Sequence, residues 1–485
     1  MTPILLIIPL AFAILTLLLP RHWVRAIIIP GLVLQVGAAV LLCMEIYQHG
    51  PQDYALGDWQ APLGISLIAD GFSVTLLALT ALIAALCAIY AQYFLTRYPR
   101  EQRYFWPLFW FLLAALNGIW LAGDLFNLYV GLELLGLSAV GMVALTAEKT
   151  TLKAALDYLY AALFGSLAYL AGVALLYGAY GTLSIAQLSD MAAANPTTQV
   201  ALALMTVGLL LKTAIFPLHY WLPPAHGGAL APVSALLSAL VVKASFYILA
   251  LLWLDVGALA VTVTAAQAMG ALGAGAIFWG SWQAFQTRQI KMLVAYSTVA
   301  QLGYLMLLFP LAIGVSEAAA QLAWQGTILH LLAHAFAKAA MFLAVGTLVL
   351  ALGHGRINDF GGVSQRNPVA LFAFGLSAVS LMGLPPSGGF NAKWLLLQSA
   401  IASGQWHWFV VMIIGGLLTA AYVFRVFRVS FLQSAKHEIQ DTHPALQLSA
   451  LALALMAIAL GFVSELPLSL MNLTDIAPAT MGGTP

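Results

Sequence analysis

Apolar runs about as long as a bilayer is thick follow one another through this 485-residue sequence, and nothing limits its fold more. Fourteen can be marked, at roughly 3–19, 24–46, 70–95, 105–122, 124–146, 155–180, 199–221, 230–253, 258–280, 292–314, 322–352, 369–400, 407–431 and 446–470. A helix needs about 20 apolar residues to cross the hydrocarbon core. Backbone facing lipid must satisfy its own polar groups, so such runs fold as helices. Hydrophobic residues make up 62% of the chain and charged residues 7%, far below the roughly 25% charged content of soluble domains. The expected fold class is an all-α polytopic membrane protein of about 14 transmembrane helices. Residues 1–485 are expected to form a single transmembrane domain.

The charged residues order these spans. Arg21 and Arg25 follow the first. Arg97, Arg100 and Arg103 follow the third, and Lys149 and Lys153 the fifth. Arg288 and Lys291 follow the ninth, Arg356 and Arg366 the eleventh, and Arg425, Arg428 and Lys436 close or follow the thirteenth. Fourteen of the eighteen basic residues thus follow odd-numbered spans, and the even-numbered loops have none. Cytoplasmic loops carry the excess of Lys and Arg. This predicts a multi-pass protein of the bacterial cell (inner) membrane with both termini external or periplasmic. Positions 1–20 are uncharged and the arginines come after them. A signal peptide has the reverse order, so the first run is expected to be a retained span.

Several functions are excluded by what is missing. A net charge of +1 leaves no basic surface for nucleic acid. Cys43 and Cys87 are the only cysteines and lie in different apolar runs, which cannot hold an iron–sulfur cluster or form a CxxC pair. No cofactor, no metal and no catalytic centre of its own are expected.

The four remaining basic residues, Lys212, Lys243, Lys338 and Lys393, sit inside apolar runs. A charge near the bilayer centre costs at least about 2.5–3.5 kcal/mol, and such residues usually mark ion pathways. Snorkelling from a helix end or a structural buried ion pair are the bland alternatives. Lysine suits a proton path because desolvation and an approaching carboxylate move its proton affinity in opposite directions. Glu133 is the one acid well inside a span, and Asp124 lies towards the outer end of the same run.

His330, His334 and Lys338 are spaced at i, i+4 and i+8, which stacks them along one helix face. Two such histidines can bind zinc, but a site wants further ligands. A hydrated relay fits better, since histidine titrates near neutrality and both ring nitrogens can pass a proton. A pair of satisfied core histidines stays open as the alternative.

Prolines break two of the runs. Pro217 follows Lys212 in span 7, and Pro385 and Pro386 precede Lys393 in span 12. Each removes a helical hydrogen bond, and freed backbone survives in a membrane where it is buried or lines a wet cavity. The breaks fall on opposite sides of their lysines, as an inverted repeat predicts.

Several stretches carry a family resemblance: Gly123–Glu133, Lys212–Lys243, Thr287–Tyr304, His330–Lys338 and Gly383–Lys393. The chain resembles the antiporter-like subunits shared by respiratory complex I, membrane-bound hydrogenases and Mrp cation/proton antiporters. The D-type Mrp subunit looks closest, partly from Pro62–Ser73. The resemblance implies inverted five-helix repeats at spans 4–8 and 9–13, about 105–253 and 258–431, with helices 7 and 12 broken. It implies a Glu133–Lys212 pair, a central Lys243 and a terminal Lys393, joined by His330, His334 and Lys338. It also implies partner membrane subunits. Lys243 stands where the largest complex I subunit of this type usually has a histidine. The loop 222–228 lacks the acid often found after Trp-Leu-Pro. The resulting expectation is a proton-translocating or cation/proton-antiporting subunit of a larger assembly, carrying H+ with Na+ or K+ as further candidates. The competing reading is a stand-alone secondary transporter of another solute.

Overall fold

A computed structural model of the chain describes residues 1–59, 61, 64–432 and 439–474. Pro62 and Lys436 lie outside the described residues. Helices α1 (Ile4–Leu18), α2 (Arg21–His49), α3 (Gly71–Phe94), α4 (Pro99–Leu121), α5 (Leu125–Val143) and α6 (Lys149–Tyr180) precede a short α7 (Ile185–Met191). α8 (Pro196–Thr213) and α9 (Leu222–Gly228) are separate pieces with a non-helical stretch between them. α10 (Ala231–Val256), α11 (Val263–Gln286), α12 (Ile290–Ala312) and α13 (Glu317–Leu352) follow. α14 (Pro368–Met382) and α15 (Gly388–Ala402) again form two pieces, and α16 (Trp406–Ser430), α17 (Pro444–Ala459) and α18 (Glu465–Met471) come last. Among the described residues nine helices are long and apolar enough to cross a membrane. The chain is a mostly helical, multi-pass membrane protein.

Local chemistry sets the helix ends. Asp70 caps α3, accepting from the Ser73 amide at 2.7 Å, while the Ser73 hydroxyl accepts from the Asp70 amide at 2.8 Å. Asp124 caps α5 by accepting from the Asn127 amide at 2.8 Å. That cap separates α4 from α5, whose apolar runs nearly merge in the sequence. A short hairpin, β1 (Gln52–Ala55) with β2 (Ser66–Ala69), pairs Gln52 with Ala69 and Ala55 with Ser66.

Loop hydrogen bonds sort the connections into two ends. At one end the Gly123 amide donates to Ser66 O, Ile185 to Gly123 O and Gly71 to Leu473 O, so the connections after the second, fourth and sixth spans meet there. The first residues reach the same end, where Asn117 donates to Leu5 O at 2.7 Å. At the other end Ile357 donates to Arg288 O and Gly362 to Leu432 O. Arg425 Nη2 donates there to Thr287 O at 2.5 Å. Arg288, Lys291, Arg356, Arg366 and Arg425 therefore share one end of the molecule.

α13 is the centre of the packing. Its 36 residues run about 54 Å at 1.5 Å per residue. It lies against α14, α15, α17, α12 and α10, and most of its side chains are buried. α10 is buried except at Asp255 near its end and is not a uniform α-helix. π-helical turns occupy Leu237–Val241 and Leu252–Val256.

Candidate functional site

Lys212 stands at the last turn of α8, one residue before the helix ends at Thr213. Ala214 then turns into the left-handed region at φ 59°, and the chain runs irregularly through Pro217 to α9. The break therefore starts earlier than Pro217 alone suggests. α8 packs on α6 by direct backbone approach: a Cβ on Gly165 would lie 2.8 Å from Gly208 O and 3.0 Å from Lys212 Cγ. The absent side chain leaves the channel in which the lysine stem lies. Lys212 Nζ reaches Glu133 Oε1 on α5 at 3.9 Å. Glu133 is 27% exposed at the lateral surface of its span.

Next to Lys212, the Thr213 hydroxyl donates to Ser245 Oγ on α10 at 2.9 Å. Two residues away on α10, buried Lys243 donates to Ser238 O at 2.5 Å. Ser238 lies in the first π turn, the kind of irregularity that concentrates at functional sites. Its hydroxyl pairs with Thr298 Oγ1 on α12 at 2.9 Å. Thr298 donates to Val294 O at 3.0 Å. The same carbonyl accepts from Lys338 Nζ of α13 at 3.0 Å, and Lys338 also donates to Ser297 Oγ. Lys243 and Lys338 are thus joined through a hydroxyl pair and a shared carbonyl.

One and two turns before Lys338 stand His334 and His330, with rings parallel within 5° and centroids 5.8 Å apart. His330 Nε2 contacts Gln301 O at 3.1 Å. His334 is 1% exposed, and among the described residues neither of its nitrogens has a partner. A buried polar group without a partner is costly, and His334 is such a group among the described residues. Tyr304 lies 5.3 Å from the His330 ring. Its other neighbour is Lys393, whose Nζ sits 4.3 Å from the centre of the Tyr304 ring.

Lys393 lies just inside α15, past the break at Pro385 and Pro386. Its Nζ donates to Leu381 O at 2.7 Å and Met382 O at 3.4 Å. These are final carbonyls of α14, the partial negative end of a helix dipole. Gly383, at φ 81°, permits this: a Cβ there would be 2.7 Å from Lys393 Cδ.

The structure thus brings Glu133 to Lys212, Lys243 towards Lys338 through Ser238, Thr298 and Val294 O, and His334 and His330 towards Lys393 through Tyr304, on α5, α8, α10, α13 and α15. Among the described residues Glu133 is the one carboxylate ion-paired within this set. No group of three His, Cys, Asp or Glu side chains among the described residues could hold a metal.

Other participants escape sequence reasoning. Ser238, Thr298 and Tyr304 are ordinary residues of apolar runs until the fold joins them. His226 reads in the sequence as part of a loop, but it is fully buried, stacks on Phe342 at 5.4 Å, and has no partner for either nitrogen among the described residues. Lys291, counted with the loop charges, begins α12 half-buried and donates to Ala229 O. It borders a cavity of about 550 Å³ shared with Tyr98 and Glu148. A signal for Lys291 exists in the sequence, since it abuts the apolar run Met292–Ala295, but it looks the same as a flanking anchor.

Comparison with known proteins follows the same geometry. The model of the family described as NADH:quinone oxidoreductase/Mrp antiporter, TM, matches residues 122–419. The N subunit of the NADH-quinone oxidoreductase of Desulforudis audaxviator is 36% identical over 441 residues, covering 89% of this chain and 86% of that protein. The D subunit of the Na(+)/H(+) antiporter of Alkalihalophilus pseudofirmus is 30% identical over 438 residues, covering 88% and 86%. A chain of the Mrp complex from Dietzia sp. DQ12-45-1b superimposes with a TM-score of 0.88 at 25% identity, over 99% of this chain and 97% of its own. A chain of the membrane-bound sulfane sulfur reductase, an archaeal respiratory membrane complex, gives 0.89 at 26% identity, over 97% and 96%.

Proposed function

The chain belongs to the NADH:quinone oxidoreductase/Mrp antiporter family, and from that premise we propose that it carries protons as a membrane subunit of a multisubunit complex. The observation that supports this most is the buried polar line from Glu133 to Lys393. Four lysines, two histidines and one acid occupy the membrane interior, with hydroxyls and carbonyls bridging their gaps.

In this reading Glu133 and Lys212 form the entry pair. When they are close, the carboxylate holds the lysine charged, and separation releases the proton. Lys243 is the central station. Lys338, His334 and His330 relay to Lys393, whose broken helix meets water. Pro217, Pro385 and Pro386 keep the two breaks open. The fold is read as fourteen crossings, with helices 7 (α8 and α9) and 12 (α14 and α15) broken. Two inverted five-helix repeats span about 105–253 and 258–431 in one domain, 1–485. A second observation favours partner subunits. Glu133 is a quarter exposed within a span, and an acid facing lipid there is expensive, so a neighbouring membrane subunit covers it.

The protein sits in the bacterial inner membrane with both termini outside. A cysteine introduced at Gln52 should then label from the outside and one at Arg356 only after permeabilisation. The reverse pattern overturns the sidedness. The main test is vesicle acidification by the assembled complex. Glu133→Ala and Lys212→Ala should each abolish proton movement while assembly persists, and normal transport by either variant defeats the proposal. The oxidoreductase relative and the antiporter relative align with nearly equal shares of the chain. Co-purification of neighbouring proteins decides between a redox-driven assembly and an antiporter, and ion replacement assays decide whether Na+ or K+ moves as well.

A further inference from the structure

At the basic end of the molecule, away from the buried line, α1, α2 and α4 enclose a cleft of about 300 Å³, the lower end of the size range of ligand pockets. Arg25 of α2 and Arg103 of α4 stand on its walls beside Gln102 and Trp106. Both arginines are exposed, and among the described residues neither pairs with a carboxylate. Glu101, on the same turn of α4, does not line the cleft.

Two further observations point to an anion. Trp106 is 1% exposed and its Nε1–H has no acceptor among the described residues. Buried indole N–H groups ordinarily find a partner. The cleft also contains Pro20, the residue just before α2. This 29-residue helix begins with no side-chain cap and no acidic residue in its first turn. The Trp23 and Val24 amides turn back to Pro20 O at 3.0 and 3.2 Å, and the two amides before them, those of Arg21 and His22, are donors at the positive end of the dipole, an arrangement that attracts phosphate groups.

The surroundings identify the source of the phosphate. Leu17, Leu18, Trp23 and Tyr104 around the cleft are each more than half exposed. Such side chains belong against acyl chains and the headgroup layer. We propose that this cleft binds the phosphodiester headgroup of an anionic phospholipid. Arg25 and Arg103 grip the phosphate oxygens in the bidentate way open to guanidinium, Trp106 Nε1–H donates to the same headgroup, and Leu17 and Leu18 bed its acyl chains. The site is independent of the proton line and fastens the first helices to the bundle through lipid.

The test is native mass spectrometry of the full-length protein titrated with phosphatidylglycerol, with phosphatidylcholine of the same acyl chains, and with inorganic phosphate. The expected result is one saturable phosphatidylglycerol site, bound about tenfold or more tighter than phosphatidylcholine, from two basic contacts at a membrane surface. Arg25→Gln with Arg103→Gln should erase that preference. Both side chains are exposed, so the fold should survive, as monodispersity and helical circular dichroism will report. Trp106→Phe, which removes only the N–H donor, should weaken phosphatidylglycerol by a smaller factor. Equal affinity for the two lipids, or a preference that survives the double substitution, overturns the proposal. Inorganic phosphate that competes at millimolar concentration overturns the lipid assignment in favour of a soluble phosphate.

Discussion

The two broken helices hold the same residue in different settings. Lys212 ends its half-helix and meets a carboxylate from a different helix, Glu133, at 3.9 Å. Lys393 begins its half-helix and meets carbonyls of the other half, Leu381 O at 2.7 Å, under the face of Tyr304. In the proposed relay the carboxylate, on a separate helix, moves away and so gates the charge on Lys212. The carbonyls at Lys393 belong to the same break, so in the proposed relay that lysine keeps its seat and is driven by its neighbours. The difference teaches that a proline break supplies room, while the partner decides whether the site switches.

The largest effect should come from breaking the switching side. Lys212→Ala should lower proton transport by roughly 100-fold or more, as loss of a proton-transfer group commonly does. The double substitution with Glu133→Ala should be no worse than either single one, because groups that act as a unit are non-additive. Additive losses in vesicle acidification would separate the two residues and break the comparison.

Lys393→Arg sharpens it from the other side. Arginine keeps the charge but cannot give up its proton. It should therefore be as inactive as Lys393→Ala. Transport at the original rate would make position 393 a fixed charge rather than a relay.

Ser238→Ala tests the bridge between the two halves. It removes the hydroxyl that meets Thr298 Oγ1 but leaves the backbone carbonyl that holds Lys243. Transport should fall roughly 5- to 30-fold for about 1–2 kcal/mol of unsatisfied hydroxyl and lost bridge. An unchanged rate means that water spans the gap by itself.

The smallest effect concerns packing around each break. A Cβ on Gly389 would lie 1.9 Å from Ser380 O, whereas one on Gly165 would lie 2.8 Å from Gly208 O. Both alanine substitutions should destabilise the chain, by about 1–3 kcal/mol for overpacking, with Gly389→Ala the larger. Thermal unfolding in detergent reads the order, and a reversed order would mean that the α14–α15 break yields more easily than α6 against α8.

Much of this is legible in the sequence because intramembrane charges are so expensive that each stands out. Lys212, Lys243, Lys338, Lys393 and Glu133 are conspicuous against apolar neighbours, and Pro217 and Pro385 mark the breaks by their chemistry alone. The spacing of His330, His334 and Lys338 carries its own geometry. Ser238 and Thr298 are not legible, because serine and threonine inside a span usually bond their own helix, and only the approach of α10 to α12 pairs them. Lys291 is misplaced by the sequence because a basic residue flanking a span looks the same whether it faces water or a buried carbonyl. His226 follows two prolines, which read as loop, and its burial arises from packing against Phe342.

The π turns in α10 have a consequence for register. Each adds about one residue to the helix relative to continuous α geometry, which displaces the following side chains by about 100°. No single helical wheel can be drawn from Ala231 to Val256. Faces inferred from the first six residues are about one residue out of phase at Lys243 and a second residue out of phase by Val256. Deleting one residue from Leu237–Val241 would restore the ordinary phase and still leave an apolar helix of spanning length. It would also carry Lys243 round the axis relative to Ser238, whose carbonyl it now reaches at 2.5 Å. A gap or insertion at this point in related sequences thus changes where the lysine points while leaving the hydropathy profile almost untouched.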